Sequence, residues 1–206
     1  MNCILCQTSE TFLRESATEC THCALVFKNP KNYYTHTKDV LRYSTHNNNH
    51  EDQGYIDFLN LLVNPLVPFL PIKFMALDFG CGPGPTLSLL LEKIGGVVEN
   101  YDPIFFTNSK VLENTYDVVT CSEVVEHFKN IETDWALLTS LVKPGGILAI
   151  MTLFITEQIN YKSWWYKNDP THIVFYNEKT FVYLAERFNL EIVFNDKKSV
   201  IILRKK

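Results

Sequence analysis

The sequence has no apolar run long enough to cross a membrane. Its longest uncharged stretch, residues 58–72, is interrupted by two asparagines and three prolines, whereas a transmembrane helix needs about 20 mostly apolar residues. No apolar signal region precedes the first cysteines, so we expect no secretory leader. These absences predict a cytoplasmic protein without a membrane span, whose six cysteines are reduced thiols.

The sequence also lacks an excess of positive charge. It has 19 lysines and arginines against 23 aspartates and glutamates, which gives a net charge of −4. A nucleic-acid surface needs dense positive charge, and we interpret the one basic cluster, residues 204–206, as a solvated tail. We therefore expect no nucleic-acid partner. At 206 residues, with 46% of them hydrophobic, the chain can bury one core and carry a small appendage.

Glycine is scarce, with eight residues in 206, yet three of the eight alternate in one loop. Gly80, Gly82 and Gly84 follow Asp78, after a strand-like apolar stretch and before a helix-like segment. Glycines let a backbone approach a ligand closely, and the helix start offers free N–H groups. The dinucleotide fingerprint needs glycine or alanine where this chain has Pro85, so the loop disfavours a dehydrogenase.

The pattern Asp-x-Gly-x-Gly-x-Gly that starts at Asp78 resembles the first motif of class I S-adenosylmethionine-dependent methyltransferases. In that family the loop holds the methionine part of the cofactor. A second strand-like segment ends in Asp102, twenty-four residues later, and Tyr101-Asp102-Pro103 resembles the family's second motif. A carboxylate at this strand end can accept two hydrogen bonds from a ribose diol. The resemblance covers about residues 70–203, and it implies S-adenosyl-L-methionine as cofactor and S-adenosylhomocysteine as product.

The implied fold is α/β, with a Rossmann-like doubly wound sheet that ends in an antiparallel strand pair. The hydrophobic pattern predicts helices over residues 131–142 and 177–188. It predicts the closing strand pair over residues 190–195 and 199–203. The turn at residues 143–146 should precede a strand over residues 147–154.

One unit of the family pattern is too short. A helix and a third strand usually follow the second motif, and this strand ends in an acidic residue that contacts the adenine. Here only residues 103–115 precede the next strand. We therefore predict a shortened third-strand region, with Ile104, Phe105 and Phe106 as the nearest apolar residues for the adenine ring.

The next strand, residues 116–121, leads into a segment with two glutamates and a histidine. This segment resembles the E-x-x-E-H form of quinone and small-molecule methyltransferases. Its spacing would let Glu123 and His127 pair across one helical turn, although a purely structural role for His127 is an equal alternative. The resemblance assigns the cofactor to Asp78, Gly80, Cys81, Gly82, Gly84, Asp102, Cys121, Ser122 and Glu123.

Residues 161–176 form an aromatic segment beyond the fifth strand, where ligands of open α/β sheets bind. Asp169-Pro170-Thr171-His172 resembles a D-P-T-H segment of relatives with unassigned substrates. A histidine can take a proton at neutral pH, and a carboxylate can orient it. The catalytic candidates are His172, Asp169 and His127, with structural histidines as the alternative. Trp165 and Tyr176 are candidates for contact with the substrate.

Four of the six cysteines lie in two knuckles near the N-terminus. Cys3 and Cys6 are separated by two residues, as are Cys20 and Cys23, with thirteen residues between the pairs. This spacing can close a tetrahedral zinc site, which has no open position and would be structural. Two disulfides or four free thiols are the alternatives.

The polar stretch after the knuckles holds three histidines, and it is either a linker or a lid over the active site. Tyr43, His46 and Asn47 are its candidate contacts. A helix over residues 52–62 follows. We predict three parts of the chain: a zinc-binding knuckle (1–30), a lid or linker with the N-terminal helix (31–70), and an S-adenosylmethionine-binding methyltransferase domain (71–206).

The sequence thus predicts a methyltransferase that acts on a small molecule, such as a hydroxylated or quinone-like metabolite. A different class of protein stays open: a non-catalytic scaffold that recruits a protein partner through the knuckle. The sequence assigns neither the methyl acceptor nor the oligomeric state.

Overall fold

The computed structural model describes residues 1–45 and 48–206. Two of the lid candidates, His46 and Asn47, lie outside the described residues. The described residues form five α-helices: α1 (His36–Tyr43), α2 (Gln53–Leu66), α3 (Thr86–Lys93), α4 (Ile131–Ser140) and α5 (Glu178–Arg187). None of the helices in this part of the chain is long and apolar enough to cross a membrane.

Within residues 1–45 and 48–206, six strands build the central sheet, in the order β5-β4-β6-β7-β10-β9. The first four strands in this order are parallel to one another, and β10 pairs antiparallel with both β7 and β9. Their bounds are β4 (Phe74–Phe79), β5 (Gly96–Tyr101), β6 (Tyr116–Ser122), β7 (Val142–Met151), β9 (Leu190–Asn195) and β10 (Val200–Lys205). The predicted α/β fold with a closing antiparallel pair is confirmed.

Neighbouring residues on each strand supply opposite faces of this sheet, because successive strand side chains alternate. On β4, Ala76 packs in the cluster formed with α2 and α3. Leu77, the next residue, packs in the cluster formed with α4 and α5. Both faces are therefore covered by helices, and the carboxyl ends of the strands stay open to a ligand.

The third-strand region is short, as predicted. After β5 the chain makes a bridge between Asp102 and Phe106 and a 3-10 turn at Ser109–Glu113, and then enters β6. Among the described residues no strand pairs with the outer edge of β5. The sheet therefore ends one strand earlier than the family pattern.

Strand β7 begins earlier than predicted. It starts at Val142, and the residues expected to form a separate turn lie inside it. Tyr116 pairs with Val142 and Val118 with Ile147, so the register shifts between these pairs. Gly145 absorbs the shift with a φ of 77°, a value that costs glycine little.

The N-terminal segment forms a second, antiparallel sheet in the order β1-β2-β3-β8. Its strands are β1 (Thr11–Arg14), β2 (Ala17–Cys20), β3 (Val26–Lys28) and β8 (Val174–Phe175). Strand β8 comes from the aromatic segment, so the knuckle docks on that segment through β3. Leu25 and Phe27 are fully buried in the same cluster as Trp135 of α4, and the knuckle therefore shares the core of the sheet.

Candidate active site

A cavity of about 1100 Å³ lies at the carboxyl ends of β4, β5 and β6. Parallel strands bring these ends to one edge of the sheet, where open α/β folds bind ligands. The glycine loop with Asp102 forms one part of the wall, and His127 forms another part together with the aromatic segment that carries His172. Helix α1 contributes Arg42 and Tyr43 to the lining.

The glycine loop is fixed by backbone hydrogen bonds to the end of β5. The N–H of Gly80 donates to the carbonyl of Tyr101 at 2.7 Å. A Cβ atom built on Gly80 would lie 2.3 Å from Cγ2 of Val124, and φ is 78°. Only glycine satisfies both conditions, and the loop therefore lies directly against the residues that follow β6.

Asp102 closes the loop from the other side. Its Oδ2 accepts a hydrogen bond from the N–H of Gly82 at 3.1 Å. Its Oδ1 accepts from the N–H groups of Ile104 at 2.8 Å and Phe105 at 3.0 Å. The carboxylate is thus oriented at the cavity wall with acceptor capacity left for a ribose hydroxyl, and Ile104 and Phe105 line the cavity beside it.

Asp78 supports the loop from below. It is only 3% exposed and accepts a hydrogen bond from the hydroxyl of Thr120 at 3.0 Å. Burial raises its pKa to about 7, although hydrogen bonds from Thr120 and Ser88 partly oppose this. Burial therefore favours the neutral form of this carboxyl more than it does for an exposed aspartate.

The rings of His127 and His172 pack edge to face beside the cavity, with their centroids 4.9 Å apart. Nδ1 of His172 lies 2.8 Å from the carbonyl oxygen of Tyr166, and Nδ1 of His127 lies 2.8 Å from that of Thr171. A carbonyl only accepts, so each Nδ1 carries the hydrogen and each neutral ring has a lone pair on Nε2. Burial lowers the pKa of His172, which favours a neutral base at pH 7.

Asp169 does not have the partner that the sequence suggested. Its Oδ2 accepts from Nη2 of Arg42 at 2.7 Å, and its Oδ1 accepts from the N–H of Thr171 at 2.9 Å. Burial acts against ionisation, but the hydrogen bonds from Thr171 and Arg42 lower the pKa of Asp169 overall. His172 is therefore oriented by the backbone of Tyr166, and Asp169 instead ties α1 to the aromatic segment.

The predicted pairing of Glu123 with His127 is also wrong. The segment after β6 is a 3-10 turn, Val125–His127, so the two side chains do not share a helical face. Glu123 has a φ of 53°, and its Oε2 lies 3.1 Å from the hydroxyl oxygen of Tyr166. This left-handed backbone turns the carboxyl toward the aromatic segment.

Tyr166 and Glu126 form a polar contact beside the cavity that sequence analysis did not predict. The Tyr166 hydroxyl donates to Oε1 of Glu126 at 2.6 Å. Burial and the charge of Glu126 raise the pKa of Glu123 well above its usual value, so its neutral form can donate to the same hydroxyl oxygen. The signals were present, since Glu126 is the second glutamate of the E-x-x-E-H segment and Tyr166 belongs to the aromatic run.

The same corner of the cavity could hold a cation. One oxygen of Glu126 and one ring nitrogen each of His127 and His172 lie within 4.8 Å of one another. Glu126 is fully buried, and its Oε2 has no hydrogen-bond partner among the described residues. Two imidazoles and a carboxylate suit zinc, iron or nickel better than calcium or magnesium.

The four knuckle cysteines meet the geometric requirement of a metal site. Their sulfurs all lie within 4.8 Å of one another, and Sγ of Cys3 lies 3.5 Å from that of Cys23. The hydrogen bond between Cys3 and Cys23 lowers the pKa of Cys3 and raises that of Cys23, so these two thiols share a proton that a bound metal would displace. All four cysteines are free, which excludes the alternative of two disulfides and leaves a metal site or four free thiols.

The other predicted site residues divide between the cavity and the core. The lining includes Cys81, Ser122, Tyr43 and Trp165, and Trp165 is 68% exposed. Three other predicted residues do not contribute side chains to the cavity.

Cys121 and Tyr176 are fully buried in the core, where the Tyr176 hydroxyl donates to the carbonyl of Val125 at 2.9 Å. The predicted role of Tyr176 as a substrate contact has no support in this position. A Cβ atom on Gly84 would lie 2.3 Å from the carbonyl oxygen of Asn48. The end of the glycine loop is thus covered by the segment that leads to α2.

Comparison with known proteins agrees with this architecture. A ubiquinone biosynthesis O-methyltransferase from Colwellia psychrerythraea (strain 34H / ATCC BAA-681) is 35% identical over an aligned length of 102 residues, which covers 37% of this chain and 41% of that protein. The chain therefore spans less than half the length of this curated relative.

Two solved structures share the fold. A Burkholderia thailandensis 1,6-didemethyltoxoflavin-N1-methyltransferase, solved with 1,6-didemethyltoxoflavin and S-adenosylhomocysteine, superposes with a TM-score of 0.58 at 15% identity, covering 96% of this chain and 100% of that one. A magnesium protoporphyrin IX methyltransferase from Synechocystis PCC 6803, solved with S-adenosylhomocysteine, gives a TM-score of 0.54 at 15% identity, covering 86% and 98%.

The family assignment comes from the sequence itself. The sequence model that describes the methyltransferase domain matches residues 43–194. This match takes in the glycine loop, Asp102, the E-x-x-E-H segment and the aromatic segment, and it extends over more than half of the chain. The protein therefore belongs to the methyltransferase domain family.

Proposed function

We propose that the protein transfers a methyl group from S-adenosylmethionine to a hydroxyl oxygen of a small, hydroxylated or quinone-like molecule. The observation that carries the proposal is the pairing of two walls in one cavity. A glycine loop with an oriented Asp102 forms one wall, and a neutral His172 with its lone pair on Nε2 forms the other.

The first wall fits the cofactor. Gly80 and Gly82 present bare backbone to the cavity, and Asp102 can accept hydrogen bonds from a ribose. When bound, S-adenosylmethionine supplies a methyl group that is already activated by the sulfonium. The chain therefore mainly has to position the two reactants and exclude water.

The second wall fits an acceptor with an acidic hydroxyl group. Nε2 of His172 can take the hydroxyl proton, because Nδ1–H is held by the carbonyl of Tyr166 at 2.8 Å. Trp165 and Tyr166 provide apolar surface near this base. The relative from Colwellia psychrerythraea, described as an O-methyltransferase of ubiquinone biosynthesis, supports an acceptor of this class, and the net charge of −4 disfavours nucleic acid.

Calorimetric titration with S-adenosylhomocysteine tests the proposal. We expect the wild-type chain to bind, and Asp102→Ala to weaken binding by about 1–3 kcal/mol, since a charged hydrogen-bond acceptor is lost. Glu191→Ala is the matched control, because it removes an exposed carboxylate from β9 and should leave the affinity unchanged. A wild-type chain that binds no S-adenosylhomocysteine, or that binds a nicotinamide dinucleotide instead, would refute the function.

We also propose one structural zinc per chain on Cys3, Cys6, Cys20 and Cys23, as expected for reduced thiols in the cytoplasm. Metal analysis of protein purified under reducing conditions should give a zinc-to-protein ratio near one. Cys6→Ala should lower this ratio strongly, because a closed site needs four ligands. Cys81→Ala, which removes a thiol outside the cluster, should not change it, and a wild-type ratio near zero would contradict the site.

A further inference from the structure

Lys28 lies between the four-cysteine cluster and the cavity. It ends β3, five residues after Cys23. Its side chain extends toward the stretch that precedes His172, which is far away in the sequence but adjacent in the fold. This position suggests that Lys28 acts on the segment that carries His172 and not on the cofactor loop.

The ammonium group of Lys28 holds two backbone carbonyls. Nζ donates to the carbonyl of Lys167 at 2.8 Å and to that of Asp169 at 3.0 Å. The second carbonyl also accepts the N–H of His172 at 3.2 Å. Charge-assisted hydrogen bonds are stronger than neutral ones, so this cation fixes the turn from which His172 projects.

The backbone of β3 holds the other end of the same turn. The N–H of Lys28 donates to the carbonyl of Ile173 at 2.8 Å, and Phe27 pairs with Val174 in β8. His172 is therefore bracketed, with side-chain bonds from Lys28 before it and a backbone bond from Lys28 after it.

The cysteine cluster is continuous with this support. Ala24 follows Cys23 in a left-handed conformation, with a φ of 56°, and its carbonyl accepts a hydrogen bond from the side chain of Asn177 at 2.7 Å. Cys20 and Leu25 are joined by a backbone hydrogen bond of 3.0 Å. A metal bound by the four cysteines would fix the turn that leads into β3. Lys28, at the end of β3, would be fixed with it.

The cofactor wall has a separate support. Gly80 and Cys81 donate to the carbonyl of Tyr101, and Gly82 donates to Asp102. Among the described residues that line the cavity, none comes from the knuckle, since the lining begins at Tyr34. The knuckle can therefore act on His172 without acting on the cofactor.

We propose that Lys28 is a positioning residue for His172, and that through it the four-cysteine cluster sets the geometry of the acceptor side of the cavity. The inference rests on the proposed function, which identifies this side of the cavity as the place where the methyl acceptor binds. Loss of Lys28 or of the metal is expected to loosen the turn before His172 and to leave S-adenosylhomocysteine binding intact.

Hydrogen exchange read by mass spectrometry on the full zinc-loaded chain tests this proposal. Lys28→Met removes the charge but keeps the length of the side chain. We expect exchange in residues 167–173 to rise about tenfold or more, as for the loss of charged hydrogen bonds, while residues 79–85 stay unchanged. Lys28→Arg, which keeps the donors, should restore protection, and Lys31→Met, at an exposed neighbouring lysine, should have no effect.

A second measurement separates positioning from general stability. The imidazole ring of His172, followed by NMR, should become more mobile in Lys28→Met, because the turn that carries it is no longer held by the hydrogen bonds of Nζ. Removal of zinc by a chelator under reducing conditions should give the same two changes at an unchanged affinity for S-adenosylhomocysteine.

Two results would overturn the proposal: unchanged exchange in residues 167–173 of Lys28→Met, or an equal increase in residues 79–85. These exchange results do not depend on ligand binding. If the wild-type chain fails to bind S-adenosylhomocysteine, the proposed function falls, and the coupling between Lys28 and the His172 turn is still decided by exchange.

Discussion

His172→Ala should slow methyl transfer by roughly 10²–10⁴-fold, the usual contribution of a positioned general base. The reason is the geometry of the ring, whose Nδ1–H is held by the carbonyl of Tyr166 at 2.8 Å. This bond leaves the lone pair on Nε2 for the hydroxyl proton of the acceptor. The affinity for S-adenosylhomocysteine should not change, because the substitution leaves in place the hydrogen bonds that hold Gly80 to Tyr101 and Gly82 to Asp102.

The pH dependence of the methyl-transfer rate provides a second test of His172 as the base. Because burial lowers the pKa of His172 below its usual value of 6.5, the ring stays neutral down to a lower pH than a free histidine does. The wild-type rate should therefore fall only below about pH 6.5, and at higher pH this group should no longer limit it. His172→Ala should lose this acidic limb.

The measurement follows release of S-adenosylhomocysteine from S-adenosylmethionine with catechols and hydroxyquinones as acceptors. His50→Ala is the control, since His50 is exposed and lies outside both the knuckle and the cavity lining, and it should leave the rate unchanged. His127→Ala tests the second ring of the pair. A full rate in His172→Ala with any accepted substrate would exclude His172 as the base.

Gly80→Ala should be strongly damaging, because it combines a steric clash with a left-handed backbone. The added Cβ would lie 2.3 Å from Cγ2 of Val124, a stiff branched side chain that can move only with its backbone. Left-handed backbone costs alanine about 1–2 kcal/mol, and overpacking adds about 1–3 kcal/mol. Because Val124 lines the cavity, its displacement should also weaken binding of S-adenosylhomocysteine roughly tenfold or more.

Gly145→Ala provides a matched control for this prediction. Gly145 has nearly the same φ, 77°, but a Cβ there would meet nothing within 4 Å. It should therefore show only the backbone cost and retain full affinity. Urea unfolding and calorimetry on both variants compare the two effects, and equal losses of stability and affinity in the two variants would show that contact with Val124 has no role.

Sequence analysis predicted the parts of the site that depend on local order. The glycine loop and Asp102 each follow a strand that the sequence predicted, and parallel strands bring their carboxyl ends to one edge of the sheet. The shortened third-strand region was also predictable, because residues 103–115 are too few for a helix and a strand. In each case a short segment sets its own conformation.

The side-chain partners could not be predicted in this way. Asp169 stands near His172 in the sequence, but its carboxylate binds Arg42, which is brought there by the fold of α1. Glu123 has a positive φ that no helical spacing rule anticipates, and this turns it toward Tyr166. These contacts join residues that are distant in the chain, so they depend on packing that the sequence pattern does not encode.

The pairing of β3 with β8 also sets an order of events during folding. The four cysteines are close in the sequence, so a metal can close the knuckle early, at a small cost in loop entropy. Strand β8, the partner of β3, follows most of the central sheet in the sequence and is therefore synthesised later. Contacts between such distant segments form slowly. We expect the knuckle to form first. One edge of β3 would then stay unpaired until β8 folds against it. The last part of the site to take its final shape would then be the turn that carries His172.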